Sequence, residues 1–158
     1  MKVLRWLDQH FEKTICIILF VLFAAVMILN VIMRYVFSNS LPWATELVLF
    51  IFIWFIMFAM SYGFRSGAHV RVDIALGLLP AKGKTAILIL GNLMVLGLFI
   101  YLFYYGIFLV RDGYVSGMRG LLFRYPVWAL YLALPAGTFC SIIRISQNLV
   151  AQVKELKG

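Results

Sequence analysis

Four long apolar runs divide the chain, over about 15–33, 47–64, 86–110 and 127–143. Each reaches or approaches the roughly 20 residues an α-helix needs to cross a hydrocarbon core. None alternates apolar with polar positions, which argues against a membrane β-barrel. The pattern predicts an all-α integral membrane protein with four transmembrane helices in a single membrane domain, 1–158. Lys2, Arg5 and Lys13 precede the first run, as in a secretory leader. The run is too long for a leader's apolar core and no small-residue cleavage site follows, so it is expected to be a retained span. Before it, Val3, Leu4, Leu7 and Phe11 recur at helical spacing, with Arg5, Asp8, Glu12 and Lys13 elsewhere on the wheel. Segment 1–13 therefore predicts a short amphipathic N-terminal interfacial helix. Gly77, Pro80 and Gly83 mark turns ahead of the third run.

Composition strengthens the membrane reading. Of 158 residues, 65% are hydrophobic and 13% charged; a soluble domain averages roughly 45–50% and about 25%. The net charge is +8, which in a soluble chain would suggest nucleic acid. No basic cluster interleaved with aromatics lies outside the runs, so no nucleic-acid partner is expected. The cations are read instead as span flanks meeting lipid headgroups. Ten of the 14 fall on one side: Lys2, Arg5, Lys13, Arg65, Arg71, Lys82, Lys84, Arg144, Lys154 and Lys157. Only Arg34, Arg111, Arg119 and Arg124 fall on the other. The positive-inside rule then places both termini in the cytoplasm, with 144–158 as a cytoplasmic tail.

Ionisable residues within spans usually mark a transport or catalytic site. Runs 15–33 and 86–110 carry no charge at all. Asn30 is the clearest polar residue of the first run and predicts a hydrogen bond to a neighbouring helix. Arg34, just past that run, and Glu46, opening the second, are opposite in sign and expected at one interface. They would either pair and staple two helices or contact another protein. There is no HExxH, no G-x-S-x-G and no intramembrane aspartate pair, so no catalytic residue is expected. His10 and His69 lie outside the runs, where they cannot serve as axial haem ligands. His69 and Asp73 are four apart in the second loop and share a face if it is helical. With no third ligand near, they read as loop-shaping or partner-contacting residues, and neither metal nor cofactor is expected. Cys16 and Cys140 form no CxxC pair and read as small packing residues.

The packing signals are stronger. Ala129, Ala133, Gly137 and Ser141 recur every fourth residue, a small-residue stripe that lets another helix approach closely. Pro135 frees the carbonyl of Tyr131, so a kink is expected there. Trp43 and Trp128 near the span starts, and Tyr101, Tyr104 and Tyr105 in the third run, read as an interfacial aromatic belt.

At this point the sequence resembles a known family. The residues that carry the resemblance are Asn30, Val31, Arg34-Tyr35-Val36-Phe37, Ser40-Leu41-Pro42-Trp43 and Glu46-Leu47, followed by His69-Val70, Val72-Asp73 and Leu79-Pro80. Pro126-Val127-Trp128, Tyr131, Pro135 and Gly137 complete the series. In this order and spacing they resemble the small membrane subunit of tripartite ATP-independent periplasmic (TRAP) transporters, over nearly the whole chain. One departure stands out: the family often opens the second span with two acidic residues, and here Thr45 precedes Glu46. Any contact that pair shares falls to Glu46 alone.

The resemblance implies a non-catalytic scaffold subunit of an ion-gradient-driven, commonly sodium-coupled transporter in the bacterial cytoplasmic (inner) membrane. It implies two protein partners besides the bilayer. One is a large multi-spanning membrane subunit that carries the solute. The other is a periplasmic substrate-binding protein that delivers an organic acid or similar solute. Arg111, Asp112, Arg119 and Arg124 would then form either a headgroup-facing loop or a docking surface for the periplasmic protein, steered by charge complementarity. The first alternative is a self-sufficient homo-oligomeric transporter or channel, for which Asn30, Arg34 and Glu46 are thin material. The second is a membrane anchor for a redox enzyme, for which the histidines are misplaced.

Overall fold

The computed structural model describes residues 2–66 and 81–157, with side chains over 11–65 and 87–154. Within them the chain forms α1 Lys2–Tyr35, α2 Pro42–Ser66, α3 Ala81–Val115, α4 Val127–Tyr131 and α5 Ala133–Lys157. Four stretches are long and apolar enough to cross a membrane: Phe11–Tyr35, Pro42–Arg65, Ile87–Val115 and Val127–Lys154. The last joins α4 and α5. The expected interfacial segment is not set off from the first span, because α1 runs unbroken through it for 34 residues. At 1.5 Å per residue that helix is about 50 Å long, well beyond a ~30 Å hydrocarbon core.

Local chemistry sets the helix ends. Ser38 adopts a left-handed φ of 48°, and the Asn39 amide reaches back to the Met33 carbonyl at 2.9 Å to close α1. Pro42 opens α2 at the first helical position, where its missing N–H costs nothing. Gly117, at φ 61°, ends α3. The connection from α3 to α4 folds back on itself. The Gly120 amide donates to Tyr125, the Val127 amide donates to Met118, and Arg119 bridges Pro126.

The fourth span breaks at Leu132, between α4 and α5. Pro135 lacks the N–H that would bond the Tyr131 carbonyl, and its ring crowds that turn. The freed carbonyl expected from sequence therefore shows as a one-residue interruption of the helix hydrogen bonding, while the Leu132 backbone stays right-handed helical at φ −61°, ψ −24°.

The helices pack in a row. α1 lies on α2, α2 on α5, and α5 on α3, with α4 also against α3. Of the most apolar stretch of the fourth span 39% is buried, against 0% for that of the first, so the fourth span lies inside the slab and α1 at an edge. The small residues explain this. Ala133, Gly137 and Ser141 are all buried, and they bring α5 close to its neighbour. A compact knot of Phe64, Phe99 and Ile145 ties α2, α3 and α5 together. The Phe64 and Phe99 rings meet edge-on at 5.2 Å.

Candidate functional site

The slab has two ends. One carries both termini; the other carries the connections 36–41 and 116–126. At the second end, Glu46 stands on the first turn of α2 and reaches the α3–α4 connection. Its carboxylate accepts the backbone amides of Leu121 at 2.9 Å, Leu122 at 2.8 Å and Phe123 at 2.6 Å. Three consecutive N–H groups converging on one carboxylate form an anion-binding nest. Here the protein fills the nest with its own side chain. Gly120 makes this approach possible: a Cβ there would stand 2.6 Å from Glu46 Oε1 and 2.8 Å from the Tyr125 ring. Burial first, then the Glu46 carboxylate, push the Tyr125 phenol above its usual range. Phe50 packs edge-on against the same ring at 4.9 Å.

Of the two roles expected of Arg34 and Glu46, pairing with each other is not formed. Glu46 gives its oxygens to the loop amides, while the Arg34 guanidinium lies 5.7 Å from the centre of the Tyr35 ring. Instead, Asn30 joins the first two helices. Its Nδ2 donates to Thr45 Oγ1 at 3.4 Å and its Oδ1 accepts the Leu41 amide at 3.3 Å. The polar partner required of Asn30 is thus on α2 and the turn before it. Phe20 on Phe55 and Phe23 on Phe52, with ring centres 5.8 and 5.7 Å apart, continue the α1–α2 contact into the span.

At the terminal end a second glutamate does different work. Glu12 is 2% exposed and Arg144 7%. Glu12 Oε1 accepts from Arg144 Nε at 2.9 Å and from Ser61 Oγ at 2.8 Å. Arg144 also donates to Gln147 Oε1 at 2.9 Å. One carboxylate therefore links α1, α2 and α5, and its serine partner Ser61 is fully buried. Nearby polar links repeat the theme: Asn148 Nδ2 donates to the Phe64 carbonyl at 2.7 Å, and Asn92 Nδ2 to Gln152 Oε1 at 2.9 Å.

This ion pair goes beyond what the sequence predicts for either residue. The sequence places Glu12 off the apolar face of an amphipathic N-terminal segment and Arg144 among the flanking cations. Both are buried against each other. A signal for it exists: the α1 stripe that holds Asn30, Met27, Phe23, Phe20 and Cys16 reaches Glu12 when extended one more turn.

The small-residue stripe faces into the slab. A Cβ on Gly137 would stand 2.5 Å from Met57 Cβ and 2.9 Å from its carbonyl oxygen, so Gly137 permits backbone contact with α2. Ser141 is fully buried and bonds back to the Gly137 carbonyl at 2.9 Å. Tyr131 lies over Gly113 of α3, where an added Cβ would meet its ring at 2.8 Å. Trp128 meets Tyr114 edge-on at 6.2 Å, and Trp43 is 38% exposed at the same end. Arg111 and Asp112 are exposed near the end of α3, while exposed Arg119 and Arg124 flank the connection that Glu46 holds. His69 and Asp73 lie outside the described residues.

Residues 15–155 match the family "Tripartite ATP-independent periplasmic transporters, DctQ component". The chain is similar to the C4-dicarboxylate TRAP transporter small permease protein DctQ of Rhodobacter capsulatus, 30% identical over 111 residues. That match takes in 68% of this chain and 48% of the relative. It is also similar to the ectoine TRAP transporter small permease protein TeaB of Halomonas elongata, 27% identical over 98% of this chain and 80% of the relative. A third relative is the isethionate TRAP transporter permease protein DctMQ of Oleidesulfovibrio alaskensis. It is 23% identical over 96% of this chain, which spans only 25% of that protein.

Proposed function

Because this chain belongs to the DctQ component family of the TRAP transporters, multi-pass inner-membrane permease proteins and not enzymes, we propose that it is their non-catalytic scaffold subunit. The observation that carries the scaffold reading is the row of helices. A slab has two broad apolar faces, more than a four-helix protein needs for its own core, and wide apolar faces suit contact with a larger membrane partner. The described buried charges, Glu12 and Arg144, neutralise each other, and a neutralised pair is poor material for an ion pathway.

In this reading the partner is a large multi-spanning membrane subunit. The Oleidesulfovibrio relative supports it, since the stretch similar to this chain is a quarter of one longer permease polypeptide. The large subunit would move the solute, an organic acid or similar molecule, with an ion gradient such as sodium. A periplasmic binding protein would deliver it. Both termini would face the cytoplasm, as the cation distribution indicates. The Glu46 end would then face the periplasm, and Arg111, Asp112, Arg119 and Arg124 would offer the binding protein a charged surface. His69 and Asp73, on the opposite side, would shape the loop or touch the large subunit.

Purification of the tagged chain in mild detergent tests the proposal. Co-purification of one large polytopic membrane protein, with solute uptake only when both are reconstituted, is expected. A stable homo-oligomer that transports when reconstituted alone would overturn it.

A further inference from the structure

A groove of about 640 Å³ runs between α1 and α2 at the Glu46 end. We propose that it binds one phospholipid, with an acyl chain in the groove and the phosphate at Arg34. Its walls are Phe23 and Met27 of α1 and Val48, Leu49 and Phe52 of α2, all within membrane-spanning stretches. The volume falls in the range of roughly 300–1,000 Å³ typical of small-molecule sites.

The shape favours a lipid chain over a partner helix. On α2 the lining runs from Pro42 to Phe52, about 15 Å of helix. That is half of a ~30 Å hydrocarbon core, the depth of one leaflet. The outer end is roofed by Leu121 and Leu122, whose amides are tied to Glu46. A transmembrane helix laid along this seam would run into the roof. A chain that enters sideways at headgroup level and ends at mid-bilayer would not.

The chemistry points the same way. Thr45 and Glu46 are the polar residues of the lining, and both are engaged: Glu46 by the loop amides, Thr45 by Asn30. An occupant therefore meets apolar surface. Arg34 lies seven residues beyond Met27, so it shares that face of α1 to within about 20° and stands roughly 10 Å further out. It is exposed and has no carboxylate partner among the described residues. A guanidinium at headgroup level, above an apolar groove one leaflet deep, matches the phosphate and chain of a single phospholipid. This inference rests on the two spans and not on the transport reading.

The test places the full chain in nanodiscs of phosphatidylglycerol and phosphatidylethanolamine, with a trace of phosphatidylglycerol bearing an acyl-chain diazirine. After illumination, labelled residues are mapped by mass spectrometry. Label should concentrate at Met27, Leu49 and Leu122, above Leu93 and Met94 of α3, which are 57% and 72% exposed. Leu49→Trp, which fills the groove, should abolish the enrichment at Met27 and leave α3 labelling unchanged. Arg34→Gln, a surface change that does not threaten folding, should lower the enrichment about fivefold, the factor of one cation at a lipid surface. A diacylglycerol with the same diazirine chain and no phosphate should not enrich. Equal labelling of α1–α2 and α3, enrichment unaltered by either substitution, or equal enrichment of the diacylglycerol would each overturn the site. So would loss of the groove label when the chain is studied with its co-purifying membrane partner, since a protein surface would then be the occupant.

Discussion

Glu46 and Glu12 stand at opposite ends of the same slab and face opposite kinds of donor. Glu46 is near the surface and takes three backbone amides from one connection. Glu12 is buried and takes an arginine and a serine from two other helices. The difference lies in what each orders. Fixing consecutive amides shapes a short local segment, and solvent screens much of its electrostatic worth. Fixing side chains on α2 and α5 couples three helices in a low-dielectric interior, where breaking the pair leaves a bare charge behind. One clamp shapes a surface; the other holds the edge helix onto the slab.

The largest effect should come from removing one partner at the buried end. Arg144→Met leaves the Glu12 carboxylate without its cation, and losing one member of a buried pair typically costs 3–5 kcal/mol. Thermal unfolding in detergent should show a large drop in midpoint. Adding Glu12→Leu should recover most of it, because an apolar replacement of the whole pair is often neutral. If the double variant is no more stable than Arg144→Met, the pair is not the source of the loss.

Gly137→Leu should rank second. The added side chain has no space beside the Met57 backbone, and overpacking typically costs 1–3 kcal/mol. Here α2 and α5 must separate, so the loss should lie at the upper end, about 3 kcal/mol. Met57→Ala removes a side-chain neighbour but leaves the Met57 carbonyl in place, so it should rescue only part of the stability. Full rescue would mean that side-chain packing alone sets the approach.

These positions also show what can be read from the chain. The four spans, the Gly137 stripe and the break near Pro135 follow from residue type and spacing, because each depends on local geometry: an apolar length, a missing Cβ, a missing N–H. Asn30 was legible for the same reason, since an amide in a span must find a donor or acceptor. The Glu46 contact was not. Its partners are backbone amides 75 to 77 residues away, and every residue has an amide, so side-chain identity carries no trace of them. Opposite charge pointed to Arg34 instead. The Glu12–Arg144 pair was hidden differently. Its members are 132 residues apart and each falls just outside an apolar run, where a charged residue reads as a flank.

Glu46→Gln should rank third, and its effect should be local. The amide side chain keeps one acceptor oxygen but loses the charge and the second acceptor. Hydrogen exchange should accelerate at Leu121, Leu122 and Phe123, while exchange across α5 and the unfolding midpoint change little. Thr45→Glu restores the acidic pair that the family often carries, and it adds a second carboxylate next to Glu46 in the first turn of α2. It should slow exchange at these three positions only if the nest has unused donors. A global fall in stability from Glu46→Gln would erase the contrast between the two ends.

Asn30→Leu should have the smallest effect. Its bonds to Thr45 and to the Leu41 amide are long, 3.4 and 3.3 Å, and interhelical hydrogen bonds in membranes average about 0.6 kcal/mol. Leucine also fits the apolar stripe that Asn30 interrupts, so part of that loss is offset by burial against α2. The residue's greater effect is on register. Asn30 fixes where the turn before Pro42 meets α1, and that turn sets the position of Glu46 on the next helix. Exchange at the Leu41 amide should therefore rise first, with a weaker rise at Leu121–Phe123. If Asn30→Leu frees Leu41 and leaves the Glu46-bound amides fully protected, the nest is held by α2 and its own loop, and α1 contributes nothing to it.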